Sequence, residues 1–404
     1  MKRWKKLLLI LLTLLVVSQI PFAYRRHKLG RLHTAIQQVN SQRLPKPESN
    51  FTEYTGVMHV HSFLGGHSTG NFEDIIAAAQ SNQLDFVVMT EHTSDKFNTA
   101  AMTLKGWHGG ILFINGNEVL TASSERLLLL PGDEQGTPVG SPSAVEDVLG
   151  GARANGRLAL IAYPQEFKSW SRKGLDGVEV YNVYTNALQI NPVVMFFDGL
   201  WSYRSYPELL FANFYRRPDE NLKKWDEAQR IGSAKLVATA GNDAHSNVGF
   251  SLNSYAGKPL LGLKLDPYER SFRLVRLHVL VPMDQGLSNE VLLAAIAGGH
   301  CFIGFDLFGD TSGFGFAASS GNERKIQGDE IFLDGELKLV VSVPASGRIV
   351  ILKDGTIISD RNAVSATELV VSEKGNYRVE VYLPQLGKPV GDQPWIISNP
   401  IYVR

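Results

Sequence analysis

The chain has 404 residues, 44% of them hydrophobic and 20% charged, a globular composition long enough for two or more folded units. Lys+Arg and Asp+Glu both number 40, so the net charge is zero and no basic excess points to a nucleic-acid partner. Cys301 is the only cysteine, which excludes an internal disulfide and a cysteine-rich zinc site.

In chain order, Lys2, Arg3, Lys5 and Lys6 precede an uncharged run from Leu7 to Tyr24. As a helix this run is about 27 Å long, near the lower limit for spanning a bilayer. Pro21-Phe22-Ala23 is a poor cleavage site, and Arg25, Arg26 and Lys28 follow directly. Residues 1–28 therefore read as an uncleaved signal anchor rather than a cleaved secretory signal. An N-terminal anchor of this kind places the body of the chain outside the cytoplasm, in a periplasm or at a cell surface. Residues 29–53 read as a helix with Leu32, Ile36 and Val39 at helical spacing, then the linker "LPKPESN".

From Tyr54 short apolar runs alternate with helical stretches. The strand candidates are "TGVMHV", "LDFVVMT", "GILFING", "RLALIAY", "DGVEVYN", "AKLVATAG" and "VRLHVLV". Helices are expected at Asn71–Asn82, Ser141–Asn155 and Asp219–Ile231, the first with Asn71 as N-cap. This alternation implies an α/β parallel sheet, and seven strands suggest a barrel over residues 54–309. The aromatic-rich tract Asn191–Arg217 reads best as helix core; a wall of the site or a membrane-side location are the alternatives. Residues 310–404 carry only short β-type runs, with Lys353-Asp354-Gly355 as a tight hairpin turn, and are expected to form an antiparallel β-sandwich.

The chemistry gathers at the ends of strand candidates. His59 and His61 end the first, with His67 in the loop beyond, and Glu91 and His92 follow the second. Glu118 follows the third, Glu179 and Asn182 close the fifth, and Asp243 and His245 follow the sixth. In a parallel α/β barrel these ends share one face. Imidazoles and carboxylates without thiolates suit Zn, Mn or Fe. In His59-x-His61 and Asp243-x-His245 both side chains point to one face of a strand. The remaining histidines, at 27, 33, 108, 278 and 300, have no such context. "GGHSTG" lacks the Gly-Lys-Ser/Thr ending of a phosphate loop and reads as a turn that returns His67 to the site. Lys168, Trp170 and Arg172 lie in an exposed loop or reach the substrate; the residues favour neither.

Taken together, His59-x-His61, His67, Thr90-Glu91-His92, Gly116-Asn117-Glu118 and Asp243-Ala244-His245 resemble the successive motifs of the PHP (polymerase and histidinol phosphatase) superfamily. "GVEVYN" and the closing "WIISNPIYV" resemble the branch that includes an aryl-carbamate hydrolase, whose members often carry a C-terminal β-rich region. The resemblance implies a distorted (β/α)7 barrel holding up to three metals. It assigns His59, His61, Glu118 and Asp243 to one ion and His67, His92 and His245 to another, with Glu118 bridging to a third where one is present. This chain departs from the pattern at Ala162-Tyr163-Pro164, where many members have a histidine, and at Glu179 and Asn182, where no histidine stands. Two divalent ions are therefore expected, with Tyr163, Glu179 and Asn182 as candidate catalytic groups. The expected activity is hydrolysis by metal-activated water of a phosphoester, or alternatively of a carboxylic ester or carbamate. A degenerate metal-binding protein is the non-enzymatic alternative. The expected partners are a small-molecule or phosphorylated substrate and, through the anchor, a membrane.

Overall fold

The computed structural model describes residues 3–136, 141–168, 170–188, 190–231, 235–247, 249–253, 259–264, 266–321 and 323–404. The expected anchor and the helix behind it form one continuous helix, α1 (Arg3–Ser41). Its first half is exposed along its length, while Leu29, Leu32, Ile36 and Val39 are buried. Their spacing of three and four residues lines one face of the helix, which packs on the body of the protein.

β1 (Phe51–Val60) leads through a turn into α2 (Phe72–Ser81), β2 (Phe86–Met89) and β3 (Glu91–His92). Then come α3 (Thr99–Met102), β4 (Gly106–His108), β5 (Ile111–Ile114), β6 (Asn117–Leu120), β7 (Arg126–Leu130) and α4 (Val145–Ala154). β8 (Leu158–Ile161) and β9 (Gly177–Asn182) precede α5 (Val183–Ala187), α6 (Pro192–Ser202), α7 (Asp219–Ile231) and β10 (Val237–Gly241). β11 (Gly249–Asn253) and β12 (Pro259–Lys264) form a hairpin before α8 (Tyr268–Ser271), β13 (Arg276–Pro282), α9 (Asn289–Ala297) and β14 (Cys301–Gly304). The C-terminal strands are β15 (Gly315–Ser320), β16 (Glu323–Ile326), β17 (Glu330–Ile331), β18 (Leu337–Lys353), β19 (Thr356–Val371), β20 (Gly375–Tyr382), β21 (Pro394–Ser398) and β22 (Ile401–Val403).

Each expected strand forms, as β1, β2, β5, β8, β9, β10 and β13; Ala234 of the sixth stretch lies outside the described residues. The expected helices form as α2, α4 and α7. Asn71 caps α2 through a capping box, its Oδ1 accepting from Asp74 N at 2.7 Å. Asp354 and Gly355 both take positive φ, 49° and 82°, in the turn that joins β18 to β19.

The strands do not close into the expected barrel: among the described residues no sheet is closed. β1, β2 and β5 run parallel in a 14-stranded sheet, while β3, β6, β7, β8, β9 and β10 form a second, six-stranded sheet. The second sheet is itself irregular, and a slip in the ladders parts it from the first. β7 is antiparallel to both β6 and β8, which breaks the parallel order. The ladders also slip at His59 in β1 and between Thr239 and Ala240 in β10, leaving a single parallel bridge, Val60 to Ala244, across the seam. β13 lies antiparallel beside β1 instead of following the parallel order.

The C-terminal strands are mostly antiparallel, as expected, but they extend the first sheet instead of closing into a separate sandwich. β21 pairs with β14, matching Phe302 to Ser398, and so links β20 and β18 to β13 and β1. One apolar core contains Leu32 of α1, Val88 of β2, Phe302 of β14 and Ile351 of β18. Both the ladder and the core cross the boundary expected near Gly309.

Candidate metal centre

The seam between the sheets is where the polar residues converge. Two strand ends are zipped there by main-chain bonds: Ala244 N donates to His59 O at 3.1 Å, and His61 N to Ala244 O at 3.0 Å. His59, Asp243 and Ser246 adopt positive φ of 63°, 47° and 51°. Such conformations cost non-glycine residues of order 1 kcal/mol each and cluster where function demands a particular side-chain direction. The bulge at His59 explains why His59 and His61 serve one site: β1 ends at Val60, so simple strand alternation does not place them.

The glycine-rich turn behaves as expected. Gly66 takes φ 87°, and Phe63 N donates to Gly70 O at 2.9 Å, returning the chain over the site. Ser68 Oγ donates to His245 O at 2.6 Å and Tyr268 Oη to His61 O at 2.5 Å, tying the turn to both ligand loops. His67 Nε2 thereby stands 3.1 Å from His92 Nε2.

All seven expected metal donors come together. His59 Nε2 lies 3.1 Å from Glu118 Oε2, and His61 Nε2 lies 3.4 Å from the same oxygen. Asp243 Oδ1 is 3.6 Å from both imidazole nitrogens. The His61 ring lies against the rings of both His92 and His245, with centroids at 4.4 and 4.2 Å, and those two rings are 5.9 Å from each other. The donors fall into two overlapping clusters, His59–His61–Glu118 and His61–His92–His245. His67 and His92 lie toward solvent, while His59, His61, Glu118 and Asp243 are buried.

The three candidate catalytic residues stand behind these donors. Glu179 Oε2 is 2.7 Å from His59 Nδ1, and Asn182 Nδ2 donates to Glu179 Oε1 at 2.6 Å and to Asp243 Oδ2 at 3.3 Å. Tyr163 Oη donates to Asp243 Oδ2 at 2.6 Å. Each makes its contact to a donor residue, which is how carboxylates and hydroxyls orient metal ligands.

The electrostatics are those of a site that holds positive charge: burial would lower the His59 imidazole, but Glu179, Asp243 and Glu118 raise it well above its usual value. Burial would raise the Glu118 carboxyl, but the neighbouring imidazoles of His59 and His61 hold it well below the usual range. Asp243 is likewise pushed up by burial and brought lower overall by His59, His61 and His245. Burial depresses His61 to about 3 and His92 to about 4, and lowers His245, so these imidazoles keep their lone pairs. Burial, then Asp243 and Glu118, push the Tyr163 phenol up, so it stays a donor. Glu179 is raised by burial against the pull of His59.

The donor set fits divalent ions. Both ring nitrogens of His61, Asp243 Oδ1 and His245 Nε2 are buried and have no hydrogen-bond partner among the described residues. Unpaired buried polar atoms are costly. Here His61 Nε2 and Asp243 Oδ1 lie 3.6 Å apart beside Glu118, an arrangement that a divalent cation neutralises.

Several residues of the site carry no signal in the sequence. Arg126 on β7 places Nη1 3.4 Å from Glu118 Oε1 and its guanidinium 4.9 Å from the centre of the Tyr163 ring. It is partly exposed at the site, a lone arginine with no motif spacing. A Cβ on Gly241 would stand 2.0 Å from Glu179 Oε2, so only glycine admits the His59–Glu179 pair. Arg172, one of the undecided loop residues, is held by Glu125 at 2.8 Å and Glu146 at 3.2 Å. Lys168 N also donates to Glu125, and Trp170 packs against the core.

No family model matches the chain, and no curated protein matches it. Solved structures do. One is a two-domain protein from Bacteroides vulgatus containing a predicted PHP-like metal-dependent phosphoesterase, 12% identical, covering 89% of this chain and 98% of its own, with a TM-score of 0.40. Another is PsfC from Pseudomonas syringae, 12% identical over 61% of this chain and 88% of its own, TM-score 0.36. A third is described as a metal-dependent phosphoesterase from Bifidobacterium adolescentis, 12% identical over 48% of this chain and 88% of its own, TM-score 0.29. Likenesses this distant carry no argument about activity; the chemical reading rests on the donor geometry above.

Proposed function

We propose that this chain is a metal-dependent hydrolase of the PHP type that cleaves phosphoesters. The observation that carries the reading is the set of buried, unpartnered donor atoms of His61, Asp243 and His245 facing Glu118 between two sheets. Bound divalent ions (Zn, Mn or Fe) supply an acidified water and a positive charge for the phosphoryl oxygens.

The chain's own residues do the rest. His59, His61, Glu118 and Asp243 would hold one ion, and His67, His92 and His245 a second. His61 belongs with the first set, because its Nε2 faces Glu118 and Asp243. Glu179 engages His59 Nδ1 and fixes the ring so that Nε2 faces Glu118. Tyr163 and Asn182 bind Asp243 Oδ2 and leave Oδ1 toward the imidazoles. We therefore assign Tyr163, Glu179 and Asn182 to positioning.

Arg126 favours a phosphoester over a carbamate or carboxylic ester, since a partly exposed guanidinium beside the centre suits a dianionic phosphoryl group. The aryl-carbamate branch thus loses ground to the phosphoesterase reading. Incubating the purified chain with an aryl phosphomonoester and an aryl phosphodiester, before and after chelation and with Mn or Zn restored, tests this. The proposal expects hydrolysis that chelation abolishes and metal restores. Cleavage of an aryl carbamate with neither phosphoester turned over would reject it.

A further inference from the structure

Helix α6 is amphipathic with its faces reversed. Asp198 and Ser202, one turn apart, are buried at 1% exposure each, while Val193, Phe196 and Leu200 are 62%, 61% and 67% exposed. The three apolar residues follow i, i+3, i+7 spacing and share one face. Leu188, just before the helix, is also exposed, at 66%. Within the tract expected to be helix core, α6 thus turns its apolar side outward, while Leu209, Leu210, Phe214 and Tyr215 farther along are buried as expected. The polar side of α6 is pinned inward: Arg25 binds Asp198 at 2.7 and 2.6 Å, and Asn213 Nδ2 donates to Asp198 at 3.2 Å. An exposed apolar patch of this kind marks a contact surface.

What α6 lies against identifies its occupant. Phe197 stacks on Phe22 of α1 with centroids 4.9 Å apart, and Trp201 Nε1 donates to Gln19 Oε1 at 3.1 Å. Arg26 binds Trp201 O and Ser205 Oγ. These α1 residues end the apolar run, the part of the helix long and apolar enough to cross a membrane, none of which is buried. Directly beyond, Arg26, His27, Arg31 and Tyr206 line an open groove of about 640 Å³. An apolar span, an indole at its end and a cationic groove behind it follow the order of acyl chains, interface and anionic headgroups.

We propose that α6 is an interfacial membrane helix, seated in the surface of the bilayer that α1 crosses, with Val193, Phe196 and Leu200 among the acyl chains. This rests on reading α1 as a span. Asn182, which binds Glu179 and Asp243, caps α5 and lies six positions before Leu188. The seated helix therefore keeps the metal centre within about 20 Å of the headgroup layer.

The test uses the full chain in vesicles of phosphatidylcholine with a minority of phosphatidylglycerol. Nitroxide labels are placed singly by Val193→Cys, Phe196→Cys and Leu200→Cys, with Val16→Cys on α1 and the exposed Ile357→Cys as references. Cys301 is buried and stays unlabelled. The proposal expects the three α6 labels to be several-fold more accessible to oxygen than to a water-soluble nickel complex, as at Val16, with the reverse at Ile357. Nickel accessibility like that at Ile357 overturns it. Shielding from both reagents also overturns it, in favour of a protein partner or a second copy. If the Val16 label faces lipid while the α6 labels do not, the anchor stands and this inference falls. If Val16 also faces water, both fall.

Discussion

Asp243 is held from two sides: Tyr163 and Asn182 bind Oδ2, while Oδ1 stands 3.6 Å from the His59 and His61 imidazoles. Tyr163→Phe removes one of those donors without opening a large cavity. Metal affinity is expected to fall about tenfold, measured by competition with a chelator, with the thermal midpoint of the metal-free protein nearly unchanged. Gly241→Ala forces a methyl into Glu179 and should cost about 10- to 100-fold in the same assay, by releasing His59. Arg126→Ala should raise KM for a phosphoester about tenfold or more with a smaller change in kcat, and Arg126→Lys should recover part of it. Unchanged KM would remove Arg126 from the substrate site. The clustering of the candidate metal donors was legible from residue type and position, because histidines and carboxylates stood repeatedly at strand ends, while their division between two ions came from the family resemblance. Arg126 was not, because an arginine opening the apolar run "RLLLL" has no spacing to betray it.

His278 shows how one element locks the sheet that carries the centre. It lies on β13 with Nδ1 2.7 Å from Glu53 Oε1 on β1 and Nε2 2.9 Å from Thr311 Oγ1 and 3.4 Å from Asp306 Oδ1. Burial would lower its pKa, but Asp306 and Glu53 outweigh it and raise the imidazolium to about 9. Because the folded value exceeds the unfolded one, this stabilisation is complete below about pH 6.5 and lost as pH rises through about 9. It amounts to at most about 3 kcal/mol. Denaturant midpoints should decline across that window, and His278→Gln should flatten the decline; an identical slope in the variant would contradict the assignment. Among the elements, strands and helices were legible because their apolar periods are local. Barrel closure was not, since slipped ladders at His59 and in β10 decide it. The inverted α6 was hidden for a related reason: aromatic density reads as core, and only Asp198 and Ser202 at i and i+4 mark the true inner face.

Across the whole molecule, α1 belongs half to the apolar exterior and half to the core. Shortening the chain to residues 24–404 keeps Arg25 for Asp198 and the buried Leu29, Leu32, Ile36 and Val39. That protein should fold with a thermal midpoint near the full chain's. Shortening to 43–404 strips four buried side chains and takes the arginine from Asp198, leaving it Asn213 alone, at a cost on the order of 5 kcal/mol. Equal midpoints for the two would show that α1 contributes nothing to the core. The common core also makes the centre's occupancy a property of global stability, since an ion bound only by the folded state raises the midpoint by mass action. The most direct measurement is the metal content of the purified full chain and of its Asp243→Ala variant by mass spectrometry, read beside phosphoester hydrolysis. The account predicts about two divalent ions per chain, with at least one lost in the variant together with at least about 100-fold of the activity. A metal-free chain whose phosphoester hydrolysis is unaffected by Asp243→Ala would contradict it.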